Sequence, residues 1–148
     1  MPKKQKHIKK LTGYAYVVAD IFHLGHLKHL QRCKRYCDVL YVGVLTNEAT
    51  MEKKPHPIMD FKERLEIISN IKCVDYGVEQ DEYSPIKNFQ KIGADILFES
   101  TSHTKEAIDE AKRVGKEMGK DVMVLPYYPQ QSSTSIKNKI KKIYEVKN

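Results

Sequence analysis

The chain has 148 residues, of which 41% are hydrophobic and 30% charged, and its formal net charge is +7. This length and composition suit one soluble globular domain and exclude two ordinary ones, so residues 1–148 are expected to form a single domain with a basic tail at 1–12. No apolar stretch approaches the roughly 20 residues of a membrane helix, and the basic N-terminus lacks the apolar segment of a signal peptide, which predicts a cytoplasmic protein without membrane insertion.

Lys3, Lys4, Lys6, Lys9 and Lys10 crowd the start of the chain, and Lys137, Lys139, Lys141, Lys142 and Lys147 its end. Two readings stay open: a solvated tail and helix face, or attraction to a polyanion such as a nucleoside triphosphate. No aromatic residues are interleaved with these lysines, so a nucleic-acid partner is not expected.

In chain order, the first apolar run is "YAYVVA" at 14–19. It passes directly into "DIFHLGHLKH" at 20–29, which holds three of the six histidines and opens a helical pattern. A second run, "DVLYVGVLT" at 38–46, leads into "NEATMEKKPHP" at 47–57, a loop long for an α/β connection and therefore functional or mobile. Asp60 and Glu63 form a predicted capping box ahead of "RLEIISNI". Then come a third run at 74–80, a helix capped by Ser84 with Pro85 in its first turn and closed by Gly93, and a fourth run at 94–100. A helix from about Thr104 to Met118 stops at Gly119, a fifth run covers 121–128, and a last helix starts near Ser133–Thr134 with Ile136, Ile140 and Ile143 on one side. Near-continuous apolar runs alternating with helices predict an α/β fold, a Rossmann-like three-layer sandwich around a five-stranded parallel sheet. Ligands of such sheets bind beyond the carboxyl ends of the strands, where the strand order reverses.

Cys33, Cys37 and Cys73 are odd in number and form no Cys-x-x-Cys pair, which suits reduced thiols. His29, Cys33 and Cys37 share a helical face, but no fourth ligand stands out, so no metal site is expected.

His23 and His26 sit three residues apart at the first turn of the first helix. A helix start offers unpaired N–H groups and a partial positive charge. Gly25 between them lets a ligand approach the backbone, and imidazole donates well to an anionic oxygen. A lone histidine there would usually only cap or line the helix end; His-x-Gly-His after the first strand points instead to an anion site.

"HLGH" after Asp20 resembles the His-x-Gly-His signature of the cytidylyltransferase-like nucleotidyltransferases. "SSTSIK" at 132–137 is similar to that family's hydroxyl-rich segment opening the last helix. "VDYGV" and "KKPHPIMDFKERLEII" resemble its third strand and its lysine-bearing loop with the following helix, over roughly residues 14–143 in the right order. The likeness is greatest to the glycerol-3-phosphate and ethanolamine-phosphate cytidylyltransferases. It implies a single nucleotidyltransferase domain that passes CMP from CTP to a small phosphorylated alcohol or phosphonate and releases pyrophosphate. ATP in place of CTP, or a non-catalytic nucleotide-binding module, are the alternatives.

The resemblance also implies roles. His23, His26 and Lys53 would be catalytic. Val18, Ala19, Gly25, His26, Lys54, Arg64, Glu99, Ser132, Ser133 and Thr134 would bind the nucleotide, with Arg64 at a ligand or at a dimer interface. Asp20 and Tyr127 would meet the acceptor. Mg2+ bridging phosphates and a homodimer are implied with them, with no protein metal ligands. The sequence departs from the family where Val17 replaces a glycine, Tyr127 an arginine, Lys72-Cys73 an arginine before the Val-Asp pair, and Cys37 a glycine. After the fourth strand, "ESTSHTKE" replaces a segment rich in Asp and Trp, and brings in His103, which would replace a lost base- or phosphate-contacting group.

Overall fold

A computed structural model describes residues 9–128 and 132–145. The predicted tail at 1–12 therefore lies largely outside the described residues, as do Lys3, Lys4, Lys6 and Lys147. The elements run β1 (Thr12–Val17), α1 (Leu24–Lys34), β2 (Val39–Leu45), α2 (Asn47–Met51), α3 (Phe61–Ser69), β3 (Tyr76–Gln80), α4 (Ile86–Ile92), β4 (Ile96–Ser100), α5 (Lys105–Met118), β5 (Asp121–Leu125) and α6 (Ser133–Ile143). The five strands form one parallel sheet in the order β3-β2-β1-β4-β5. The chain builds outward from β1 to β3, then returns past β1 to add β4 and β5. The reversal falls between β1 and β4, which pair only at Gly13–Ile96 and Tyr14–Leu97, and ligands of such sheets bind beyond the carboxyl ends at that point.

The central strand shows why both faces must be covered. Tyr14 and Tyr16 point to one side and Ala15 to the other, and all three are buried. Ala15 packs with Leu30, Cys33, Val42, Ile68 and Phe98 beneath α1 and α3. Tyr14 and Tyr16 pack with Phe89, Leu97 and Ala111 beneath α4 and α5. The result is the expected three-layer α/β sandwich. Gly43 on β2 permits a close approach: a Cβ there would lie 1.9 Å from the Tyr14 hydroxyl, which bonds to Gln80. Gly93 and Gly119 close α4 and α5 with φ of 71° and 66°, as their C-cap positions predict.

Several boundaries differ from those expected. β1 ends at Val17, because Ala19 and Ile21 take left-handed backbone, φ 59° and 50°. The segment 47–57 is not all loop: Thr46 caps it, accepting from Ala49 N at 3.0 Å, and its first five residues are α2. Asp60 precedes α3 but makes no side-chain cap bond; it is exposed and favours the helix start only through its charge. α4 begins one residue later than read, with Pro85 as cap, while Ser84 Oγ still accepts from Ile86 N at 3.4 Å. β5 stops at Leu125, since Pro126 has no N–H to continue the ladder.

Candidate active site

A cavity of about 610 Å³ opens at the carboxyl ends of β1, β4 and β5. Its walls come from the start of α1, the start of α6, the segment around Lys54, and the turn after β4.

His23 and His26 cap α1 through each other. His23 is the N-cap, and its Nδ1 accepts from Gly25 N at 2.9 Å. His26 Nδ1 accepts from His23 N at 3.2 Å. An imidazole nitrogen that accepts carries no proton, so the proton of each neutral ring sits on Nε2. The capping and ligand-binding readings of these histidines are thus compatible, since Nδ1 serves the helix and Nε2–H is left for the cavity that both rings line. Burial is the main cause that lowers both imidazoles; His26 falls to about 3, helped by the charges of His23, His29 and Lys54. Both are neutral donors at pH 7. Gly25 is buried and lines the cavity, with its N–H already given to His23.

Ser132, Ser133 and Thr134 all line the cavity at the start of α6. Ser132 is also the N-cap, accepting from Ser135 N at 3.0 Å. Ser133 Oγ donates to the Asp20 carbonyl at 2.6 Å and so ties α6 to the turn after β1. Asp20 is 5% exposed; its carboxylate accepts from Ile58 N at 3.0 Å and Met59 N at 2.9 Å, and pairs with Lys137 at 3.2 Å. These partners hold it below the usual carboxylate range despite burial. Asp20 lines the cavity, and with both oxygens engaged it also braces the turn containing Ala19 and Ile21.

Other expected contacts also move. Arg64 is fully buried and lines no part of the cavity. Its guanidinium donates to the carbonyls of Met59 (2.9 Å), Val18 (2.7 Å) and Leu45 (2.7 Å) and to Asn47 Oδ1 (2.8 Å). It joins the ends of β1 and β2 to the segments that follow, so it is neither a surface ligand nor an interface residue in this structure. Lys53 lies outside the cavity wall, with Nζ 5.1 Å from the Tyr83 ring centre. Lys54 lines the cavity instead, and its ammonium is lowered by burial and then by the charge of Lys137. Val18 lines the cavity, but Ala19 is buried away from it. Tyr127 is at the wall, where its backbone N donates to Thr101 Oγ1 at 2.8 Å. Glu99 is fully buried behind the wall, bonded to the Tyr16 hydroxyl at 2.7 Å and to His103 Nδ1, so it cannot reach a nucleotide directly. Among the described residues no group of three or more His, Cys, Asp or Glu could hold a metal, and Cys33 is a buried thiol beside His29.

His103, expected to replace a lost base or phosphate contact, lines the cavity, and so does His29, which was not among the expected site residues. The position of His29 was legible: it follows His26 by three residues on the same helical face.

A parallel sheet with a polar cavity at its switch point, faced by two helix starts and two neutral imidazole donors, defines an α/β protein built to hold phosphate groups. The chain belongs to the cytidylyltransferase-like family, whose model matches residues 15–139. It is 31% identical over 128 residues to the bifunctional protein HldE of Geobacter metallireducens and 29% identical over 127 residues to that of Helicobacter pylori. Each match covers 84% of this chain and 26% of the relative, so the chain spans about a quarter of the length of these relatives. Its fold is similar to that of a lipopolysaccharide core biosynthesis protein from Thermoplasma volcanium, with TM-score 0.71 and 24% identity over 83% of this chain and all of the other. It is also similar to a pantoate-β-alanine ligase from Francisella tularensis, with TM-score 0.60 and 16% identity over 95% of this chain and 73% of that one. Among the described residues no helix is long and apolar enough to cross a membrane.

Proposed function

We propose that the chain transfers a nucleoside monophosphate from a triphosphate, CTP first, to a small acceptor bearing a phosphate or phosphonate, and releases pyrophosphate. The observation that carries this reading is the pair of Nε2–H imidazoles at the start of α1, in one cavity with the start of α6. An acceptor oxygen attacks the α-phosphorus as the bond to the bridging β-phosphate oxygen breaks. The protein's task is alignment and charge stabilisation, with no covalent step of its own. His23 and His26 donate to the α-phosphate and leaving group. Lys54, Lys137 and the hydroxyls of Ser132 and Thr134 hold the outer phosphates, while the Ser133 hydroxyl stays on the Asp20 carbonyl. Lys53 is left out of the catalytic set.

The donor set suits Mg2+ brought in on the nucleotide. Asp20 has no oxygen to spare, and magnesium commonly rests on substrate phosphates and water. When bound it supplies charge neutralisation between phosphates, and no described side chain is needed as its ligand. The homodimer implied by the resemblance stays part of this proposal, and sedimentation decides it.

A second reading uses ATP. Val17 and Val18 shape the cavity wall where the cytidylyltransferase pattern carries glycine at position 17, and this changes the space beside the base. The similar Francisella ligase was crystallised with a compound named as β-γ ATP. Pyrophosphate release with CTP, ATP, GTP and UTP against glycerol 3-phosphate, phosphoethanolamine and an aminoalkyl phosphonate tests both readings. Turnover with CTP supports the first and turnover with ATP the second. Binding of nucleotide without pyrophosphate release from any pair would leave a non-catalytic module.

A further inference from the structure

α6 is held at its first half only. Ser133 and Lys137 bond to Asp20, and Ser132, Ser133 and Thr134 line the cavity. No residue of the helix is buried, and every position from 138 to 145 is exposed. Those last turns are not polar all round. Ile136, Ile140, Ile143 and Tyr144, at i, i+4, i+7 and i+8, fall on one face. Ile136 is partly covered, but Ile140 is 48% exposed, Ile143 69%, and Tyr144 at the C-cap 73%. Exposed apolar residues scattered singly are ordinary on a protein surface; three together on one free helix face are not.

Charge frames this stripe. Ser133–Ile143 holds four lysines and no acidic residue. With 3.6 residues per turn, Lys139 and Lys142 fall on one flank of the stripe, and Lys137 and Lys141 on the other. Lys137 is paired with Asp20, whereas among the described residues Lys139, Lys141 and Lys142 make no ion pair. A lysine stem can lie along apolar surface while its ammonium stays in water. An apolar face between two rows of such side chains is the pattern of a helix lying in the interface of a lipid bilayer. Tyr144 suits the same place, since its ring has an apolar body and a polar tip.

Other occupants fit this face less well. A second copy of the chain would bring the lysines of two such helices together. Three exposed side chains also fall far short of the roughly 1,200 Å² that a stable pair buries. A nucleic-acid backbone would engage the lysines and leave the isoleucines in water. An anionic lipid surface engages both, with its phosphates on the lysines and its acyl boundary on the stripe.

We propose that the second half of α6 docks on an anionic lipid surface. Ile140, Ile143 and Tyr144 enter the boundary between headgroups and acyl chains, and Lys139, Lys141 and Lys142 meet lipid phosphates. Docking is peripheral, since the stripe covers only two turns. Because α6 opens at the cavity wall, docking also holds the cavity within roughly 15 Å of the bilayer surface. This docking does not depend on the nucleotidyl-transfer reading.

The test is cosedimentation of the full chain with vesicles of phosphatidylglycerol and phosphatidylcholine in equal parts, and with vesicles of phosphatidylcholine alone. Binding to the anionic vesicles is expected to be about 10-fold tighter or more, and to weaken as salt is raised. Ile140→Ser combined with Ile143→Ser should weaken it about 10-fold or more, and so should Lys139→Gln, Lys141→Gln and Lys142→Gln together. All five positions are exposed, so these variants should fold, which circular dichroism checks. Ile143→Trp adds a reporter to a chain without tryptophan, and its emission should shift to the blue on anionic vesicles. No binding, equal binding to both vesicles, or anionic binding that the isoleucine substitutions leave unchanged overturns the proposal; the last would be the general attraction of a chain with net charge +7. A lipid-free dimer that the isoleucine substitutions split would give the stripe to a second copy, and overturns it too. Docking on vesicles by a protein that releases no pyrophosphate upholds this inference and rejects the proposed function. Pyrophosphate release without docking does the reverse.

Discussion

The rings of His23 and His26 lie with centroids 4.0 Å apart, each with its Nδ1 turned back onto the start of α1. The helix start thereby sets the tautomer of both side chains, and the same two bonds aim both Nε2–H groups outward. This arrangement separates two roles that a single substitution would confuse. His26→Gln keeps a side chain that can accept from the His23 N–H, as glutamine does in a capping box. Stability should then change by less than about 1 kcal/mol, whereas turnover should fall about 100-fold or more because the amide NH2 no longer occupies the position of the imidazole Nε2–H. Urea denaturation and pyrophosphate release measured on the same preparation check both halves. Near-normal turnover would make the imidazole purely structural.

Acid should unfold this protein earlier than its carboxylates alone require. His26 and His29 are depressed to about 3 and about 4 from 6.5 in the folded chain. The unfolded chain therefore binds more protons than the folded one between those values, and stability rises with pH there. It is fully present above about pH 6.5 and is lost as pH falls toward 4 and then 3, with a slope of up to about 1.4 kcal/mol per pH unit for each group. Urea midpoints of the ligand-free chain at pH 7 and pH 5 measure it, and His29→Gln should flatten the slope. Equal midpoints would mean that these rings are readily protonated in the folded state.

Arg64 should matter for stability before it matters for ligand. Arg64→Lys keeps the charge but loses the fork that reaches four acceptors on three segments. A loss of roughly 3 kcal/mol is expected from carbonyls left without donors. Normal stability combined with lost nucleotide affinity would instead put the guanidinium on the ligand.

The two neighbouring lysines should separate. Lys54→Ala is expected to weaken nucleotide binding about 10-fold, and Lys53→Ala, which loses only its contact with Tyr83, to change it less than twofold. Proteolysis between 52 and 57 should slow when nucleotide is present. Equal effects of the two substitutions would mean that the segment rearranges on binding.

Most of the fold was legible because buried parallel strands leave apolar runs, and because Gly93 and Gly119 mark helix ends. The end of β1 was not legible: Ala19 and Ile21 are poor candidates for left-handed backbone, and bonds made by Asp20 and Ser133, with Arg64 on the Val18 carbonyl, hold that turn. α2 is a five-residue helix whose one local signal is Thr46. The place of His23 and His26 could be read from their spacing, but their reciprocal capping could not, since histidine is not a usual N-cap. Arg64 was misplaced because arginine is seldom fully buried; here backbone carbonyls from distant segments take the place of an acidic partner. Glu99 and His103 are four residues apart across the end of a strand, a separation that predicts no contact until the turn after β4 is known.

The central claim is that a phosphate or phosphonate oxygen attacks the nucleotide. Phosphorus NMR of the reaction product from CTP, Mg2+ and a phosphorylated acceptor tests it most directly. The account predicts a new phosphoanhydride, with the acceptor phosphorus coupled to the α-phosphorus of the nucleotide, and predicts that His26→Gln suppresses its formation. A phosphodiester product, or pyrophosphate release sustained by plain alcohols, would contradict it.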